Sequence, residues 1–136
     1  MNKHSLFVVG KPEPHPRPRF GQGHFYTPAT VWARIVFNHA SLRRPKPPFT
    51  GPVRCDLKFF FKQPKTVPKS AVWMDRRPDR DNCDKAVLDA LTAAGWWKDD
   101  SQVVAGDILK LWSGDGMESG VLIQVYELKQ PLTEKK

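Results

Sequence analysis

Val53-Arg54-Cys55-Asp56-Leu57-Lys58-Phe59-Phe60-Phe61-Lys62 is the segment on which the fold turns. Val53, Cys55, Leu57, Phe59 and Phe61 fall on one side of a two-residue period. Arg54, Asp56, Lys58 and Lys62 fall on the other, with Phe60 on the wet side. That alternation predicts a half-buried strand with a basic outer face. Downstream, residues 82–94 have helical spacing, with Val87, Leu88, Leu91 and Ala94 as the apolar stripe. Asp81 suits the N-cap, Asp84 the capping-box position and Gly95 the C-terminal stop. Two strands are expected next, 102–112 and 121–128, joined as a hairpin by the Gly/Asp/Ser-rich stretch 113–120.

Upstream, residues 5–10 read as a strand. Residues 11–26 alternate Pro12, Pro14, Pro16 and Pro18 with Arg17 and Arg19, which predicts an extended basic segment in neither helix nor ladder. Thr27 before Pro28 suits a helix start, and Val31, Ala33, Ile35 and Phe37 continue the pattern to Arg43-Arg44. Residues 63–80, with Trp73 in the middle, are a long connection of the kind that is functional or mobile. The expected architecture is α+β: a single domain over 1–136 with a mixed sheet of about four strands and two main helices, in the order βαβαββ. Residues 1–4 and 130–136 are expected as flexible ends.

Charge divides the chain. Residues 1–77 hold 15 Lys/Arg against 3 Asp/Glu, and residues 78–136 hold 7 against 11. Twelve of the 13 prolines lie at or before Pro78. A basic half points to a polyanionic partner. No apolar run is long enough for a membrane span, and Leu6-Phe7-Val8-Val9 is too short for a signal-peptide core. Cys55 and Cys83 read as two reduced thiols in the cytosol.

The acidic residues gather around the second helix: Asp79, Asp81, Asp84, Asp89, Asp99 and Asp100. Their carboxylates are hard oxygen donors suited to Mg²⁺ or Mn²⁺. Two carboxylates about 5 Å apart repel by roughly 3 kcal/mol at an effective dielectric near 20. A cation or a raised carboxyl pKa relieves that cost. A thirteen-residue helix is roughly 20 Å long. The link from Gly95 to Asp100 reaches at most about 20 Å. Asp99 or Asp100 therefore arrives beside Asp79 and Asp81 only if the chain doubles back; otherwise a shared site needs a second subunit. With a polyanion as partner, the chemistry indicated is metal-assisted phosphodiester hydrolysis.

Pro78-Asp79-Arg80-Asp81-Asn82-Cys83-Asp84-Lys85, followed by Leu88-Asp89-Ala90-Leu91, Gly95 and Trp97-Lys98-Asp99-Asp100-Ser101-Gln102-Val103, resembles the signature of the RusA family. Lys11-Pro12 and Pro16-Arg17-Pro18-Arg19 resemble that family's N-terminal pattern. Its members are Holliday-junction resolvases of bacteria, phages and prophages. The resemblance implies a cytoplasmic homodimer, without membrane or nucleotide cofactor, that cuts a four-way DNA junction symmetrically with Mg²⁺. It implies Asp79, Asp81 and Asp100 as metal-binding and catalytic carboxylates, Asp99 as a supporting one, and Lys85 as a catalytic or phosphate-orienting cation. The tryptophan pair at 96–97 reads as variation within the pattern.

Taken singly, Asp81 is a cap, Asp99-Asp100 a turn, and Lys85 an i,i+4 partner of Asp81 or Asp89. Their joint spacing favours the functional reading. Asp84 and Asp89 are read as structural, and His4, His15, His24 and His39 as incidental. The DNA-contact candidates are Arg17, Arg19, Arg43, Arg44, Lys46, Lys58, Lys62, Lys69, Arg76 and Arg77. Trp73 is either a wedge into an opened junction or a loop anchor. The competing functions are a non-catalytic DNA-binding accessory module and a general metal-dependent nuclease.

Overall fold

A computed structural model describes residues 3–16, 19–26 and 30–129. Its centre is the alternating segment, strand β4 (Val53–Lys62), whose five apolar side chains are buried on one face. Along one edge β4 pairs antiparallel with β7 (Gly120–Glu127), which pairs antiparallel with β1 (Lys3–Val9). Along its other edge it pairs parallel with β5 (Val103–Ala105) and β6 (Ile108–Ser113) in succession. The result is a five-stranded mixed sheet. Beside it lies a short hairpin of β2 (Arg19–Gly21) and β3 (His24–Tyr26).

Helices α1 (Val31–Leu42) and α2 (Arg80–Ala93) cover one face of the sheet. Trp32, Val36 and Ala40 of α1, and Cys83, Val87, Ala90 and Leu91 of α2, join the strand residues in one core. Phe7 and Phe60 meet on the opposite, outer face with ring centroids 6.2 Å apart. Lys58 and Lys62 are exposed there too, as the period of two requires. No helix among the described residues is long and apolar enough to cross a membrane.

The α+β class and the two helices match the sequence reading; several details differ. The expected 113–120 hairpin does not pair its strands, because β6 and β7 lie on opposite edges of β4. A crossover through a 14-residue helix returns the chain parallel to β4 and claims that edge, so β7 must pass to the other one. The expected strand 102–112 is broken. Gly106 (φ +146°) lies so close to β4 that an added Cβ would fall within 1.9 Å of the Cys55 carbonyl oxygen. Residues 19–26, expected outside any ladder, form the β2–β3 hairpin, since proline restricts only the stretch before it. Lys3 and His4, expected in a flexible end, are already paired in β1.

Helix α1 begins one turn later than expected. Thr30 is its N-cap, its Oγ1 accepting from the Ala33 N–H at 3.0 Å, and the Glu13 carboxylate accepts from the Trp32 N–H at 3.1 Å. Thr27 and Pro28 lie outside the described residues. Helix α2 begins at Arg80, with Asp79 as a cap residue that makes no side-chain cap bond, so Asp81 lies within the first turn and not at the cap.

Candidate functional site

The site is built on the face of α2 turned away from the core. Asp81, Lys85 and Asp89 recur every four residues, while the buried stripe of Cys83, Ala86, Val87, Ala90 and Leu91 lies on the other side of the helix. Asp79, Arg80 and Asp81 are exposed at its N-terminal end. Lys85 Nζ lies 3.9 Å from Asp89 Oδ2, the companion relation expected of that pair.

What fixes the start of α2 is a lysine that the sequence reading passed over. Lys110 of β6 donates to the carbonyls of Arg76 and Pro78 at 2.5 and 2.6 Å, the second immediately before Asp79. The long connection is therefore held rather than free. The Met74 N–H bonds to the Lys110 carbonyl, the Trp112 N–H bonds to the Val72 carbonyl, and the Arg76 guanidinium lies 5.7 Å from the centre of the Trp112 ring. The backbone of Trp73 is anchored opposite Leu111, but the residue is 62% exposed, so it is not a packed loop anchor. A lysine inside a strand has no signature that marks it as a carbonyl clamp, which is why spacing did not find it.

The other end of α2 decides where Asp99 and Asp100 go. Gly95 takes φ +87°, its N–H donates to Thr92 and the Trp96 N–H to Leu91, the two bonds of a Schellman stop. Trp96 and Trp97 are fully buried. Trp96 Nε1 donates to the Ala40 carbonyl at 2.9 Å, and Trp97 Nε1 to Thr92 Oγ1 at 2.6 Å. One indole fastens the turn to α1 and the other folds the chain back toward α2. A short 3₁₀ turn (Asp100–Gln102) follows, in which Asp99 caps the Ser101 N–H and Gln102 bonds back to the Asp99 N–H.

The electrostatics show how far the chain has doubled back. The Asp100 carboxyl is raised above the usual carboxylate range, first by its hydrogen bond with Asp99, then by desolvation and the charges of Asp99 and Asp89; Lys85 opposes the shift. Asp99 is lowered, chiefly by the Ser101 N–H and by the same bond to Asp100. Asp100 thus stands in the field of Lys85 and Asp89, one and two turns beyond Asp81. Among the described residues no three His, Cys, Asp or Glu side chains converge closely enough to hold a metal ion. Asp79 and Asp81 at the helix start and Asp99 and Asp100 on the returning chain do not form a ligand set.

Asp84 is half-buried and its carboxyl is raised, first by desolvation, with Arg80 opposing and Asp81 adding. Burial likewise pushes the Cys83 thiol up to about 11 and raises Cys55, so both free cysteines stay protonated at neutral pH. His15, read as incidental, lies on this surface. Its backbone N–H donates to the Asn82 carbonyl at 3.1 Å, and its Nε2 is 2.9 Å from Asp89 Oδ2. No metal-ligand spacing marks it, because its partners are non-local.

The basic candidates divide between surfaces. Arg76 and Arg77 precede α2 directly, and Lys69 lies 3.5 Å from Asp115 with both side chains exposed. Arg43 and Arg44 are exposed at the end of α1. Lys58 and Lys62 lie on the sheet face opposite α2. Arg19 opens β2, and Arg17 lies outside the described residues.

The family model described as Endodeoxyribonuclease RusA matches residues 10–126, from the proline segment to β7. The chain belongs to the RusA family. Among curated relatives, the uncharacterised protein YqaN of Bacillus subtilis strain 168 is 35% identical over 122 residues, covering 78% of this chain and 85% of that protein. The crossover junction endodeoxyribonuclease RusA of Escherichia coli K12 is 56% identical over 36 residues, 26% of this chain and 30% of its own length. The protein of the same description from Enterobacteria phage 82 matches to the same extent. The chain therefore aligns with under a third of the length of these two RusA enzymes.

Proposed function

We propose that this RusA-family chain is an endodeoxyribonuclease that resolves four-way DNA junctions, as a homodimer making symmetric nicks. The observation that carries the reading is the family match across residues 10–126, which includes the exposed acidic start of α2. The roles follow from position. Asp79 and Asp81 present exposed carboxylates at a helix N-terminus beside an arginine-rich connection, with one Asp81 oxygen accepting from the Asn82 N–H. Asp100 approaches from the returning chain, and Lys85 stands between them as a cation for a phosphate. A carboxylate placed there takes a proton from attacking water while an ammonium offsets charge on the phosphate.

Mg²⁺ or Mn²⁺ dependence is proposed on donor chemistry alone. The residues are hard oxygen donors, but within one chain they do not converge as a ligand set. The homodimer follows from the reaction proposed, since one site per subunit cuts one strand and paired nicks need two.

The test incubates the purified chain with a synthetic four-way junction and Mg²⁺. Paired symmetric nicks that disappear in EDTA and in Asp79→Asn or Asp81→Asn are expected. Equal cutting of plain duplex would remove the junction selectivity, and absence of cleavage with any divalent ion would leave a DNA-binding module. Binding should also weaken steeply with added salt, because phosphate neutralisation releases counterions.

A further inference from the structure

Asp89 Oδ2 has two cationic or donor neighbours at different distances. His15 Nε2 is at 2.9 Å, within hydrogen-bond range, and Lys85 Nζ is at 3.9 Å, outside it. The His15 side chain is the more enclosed, 22% exposed against 43% for Asp89 and 57% for Lys85. It is also held independently, because its backbone N–H bonds to the Asn82 carbonyl and Glu13 two residues earlier bonds to the start of α1. The imidazole is thus brought to Asp89 by the proline segment. Lys85 hangs on a flexible four-carbon stem from the helix surface. Lysine and aspartate at i and i+4 are neighbours on a helix surface and attract one another. Here the ammonium pairs with the same oxygen at 3.9 Å but stops beyond hydrogen-bond range, so its N–H donors remain open to another acceptor.

We propose that His15 is a positioning residue: by hydrogen-bonding Asp89 Oδ2 it keeps the Lys85 ammonium from closing to a hydrogen bond on that oxygen and leaves its donors to the phosphate of the DNA. The proposal rests on the reading of Lys85 as the phosphate-facing cation. It gives Asp89 a second task as the carboxylate that seats the imidazole, and makes the N-terminal segment part of the active surface. Either an Nε2-protonated neutral ring or the imidazolium donates this bond.

The competition predicts an uncommon pattern of rescue. Removing the imidazole lets Lys85 close on Asp89; removing the Asp89 charge as well releases it. Steady-state cleavage of one synthetic four-way junction, with Mg²⁺ and the full chain, reads this out. His15→Ala should lower kcat by about tenfold with KM within about twofold, the mark of an interaction made in the transition state. The pair His15→Ala/Asp89→Asn should return kcat to within about threefold of the starting protein, a coupling of opposite sign to a simple lost contact. His15→Gln, whose amide N–H can still reach Asp89, should retain at least about half of kcat and covers the case in which the alanine variant does not fold.

An unchanged kcat in His15→Ala, or a double variant no better than the single, overturns the proposal. A raised KM with kcat intact also overturns it, and reduces His15 to an anchor for the proline segment. Lys85→Ala separates this proposal from the reading beneath it. If that variant loses cleavage while His15→Ala does not, only the His15 role falls. If Lys85→Ala cuts normally, or the unaltered chain cuts no junction, the functional reading fails and takes the His15 role with it.

Discussion

The two ends of α2 are opposites. The C-terminal end is saturated: a left-handed glycine, two Schellman bonds, and two buried indoles whose N–H groups both find acceptors. The N-terminal end is more open: its cap residue Asp79 makes no side-chain cap bond, Asp81 is exposed and accepts from its neighbour Asn82 N–H at 3.0 Å, and Lys110 clamps the carbonyls before it. A helix can be ended by spending every polar group on itself, or by keeping some for a ligand. One end aims the returning chain, and the other leaves the Asp79 carboxylate uncommitted to the helix.

Substitutions at the two ends should therefore fail in different ways. Trp96→Ala should have the largest effect, destabilising the fold by about 3–5 kcal/mol through a core cavity and the lost indole bond to Ala40, seen as a large fall in the denaturation midpoint. Asp79→Asn should reverse the pattern. Cleavage should drop on the order of 100-fold, about 2.7 kcal/mol of barrier, while stability changes by under about 0.5 kcal/mol because the exposed Asp79 side chain makes no cap bond that could be lost. If Asp79→Asn unfolds the protein instead, the open end is structural and the contrast collapses.

Gly95→Ala should cost about 1–2 kcal/mol for conformation alone, since φ is +87° and the nearest atoms to a new Cβ are 3.9 Å away. Junction cleavage should fall with it only as far as Asp99 and Asp100 move, so stability and kcat measured together show how tightly the stop aims them. Asp84→Asn is the smallest and tests the sign of burial. The folded carboxyl is raised, so its protonated form favours folding below the ordinary carboxyl range, and that stability is lost as pH rises through the raised value. The asparagine variant should be more stable by about 0.5 kcal/mol at neutral pH, with the gain disappearing near pH 3 in thermal melts.

The reach of the sequence followed the range of the forces involved. Strand β4 was legible to the residue because a period of two with five apolar positions has one burial solution. Helix α2 was legible for a similar reason, although its start was displaced, since an aspartate suits both a cap and a first turn. The acidic motif was legible because residue type and local spacing are its content. Strand order was not, because nothing within 113–120 records that α2 has already sent β6 to the other edge of β4. The roles of His15 and Lys110 were hidden for the same reason: their partners, Asp89 and the Pro78 carbonyl, lie 74 and 32 positions away.

By itself, then, the chain's sequence determined that a basic half and an aspartate-rich helix share one α+β domain, because alternation, helical spacing and charge are local properties. Only the tertiary structure decided that Asp100 returns as far as Lys85 and Asp89. It also decided that the proline segment lies on the same helix, and that Lys58 and Lys62 face away from it. Those outcomes depend on which edge a strand takes and where two buried tryptophans point, and both are settled by packing across the whole core.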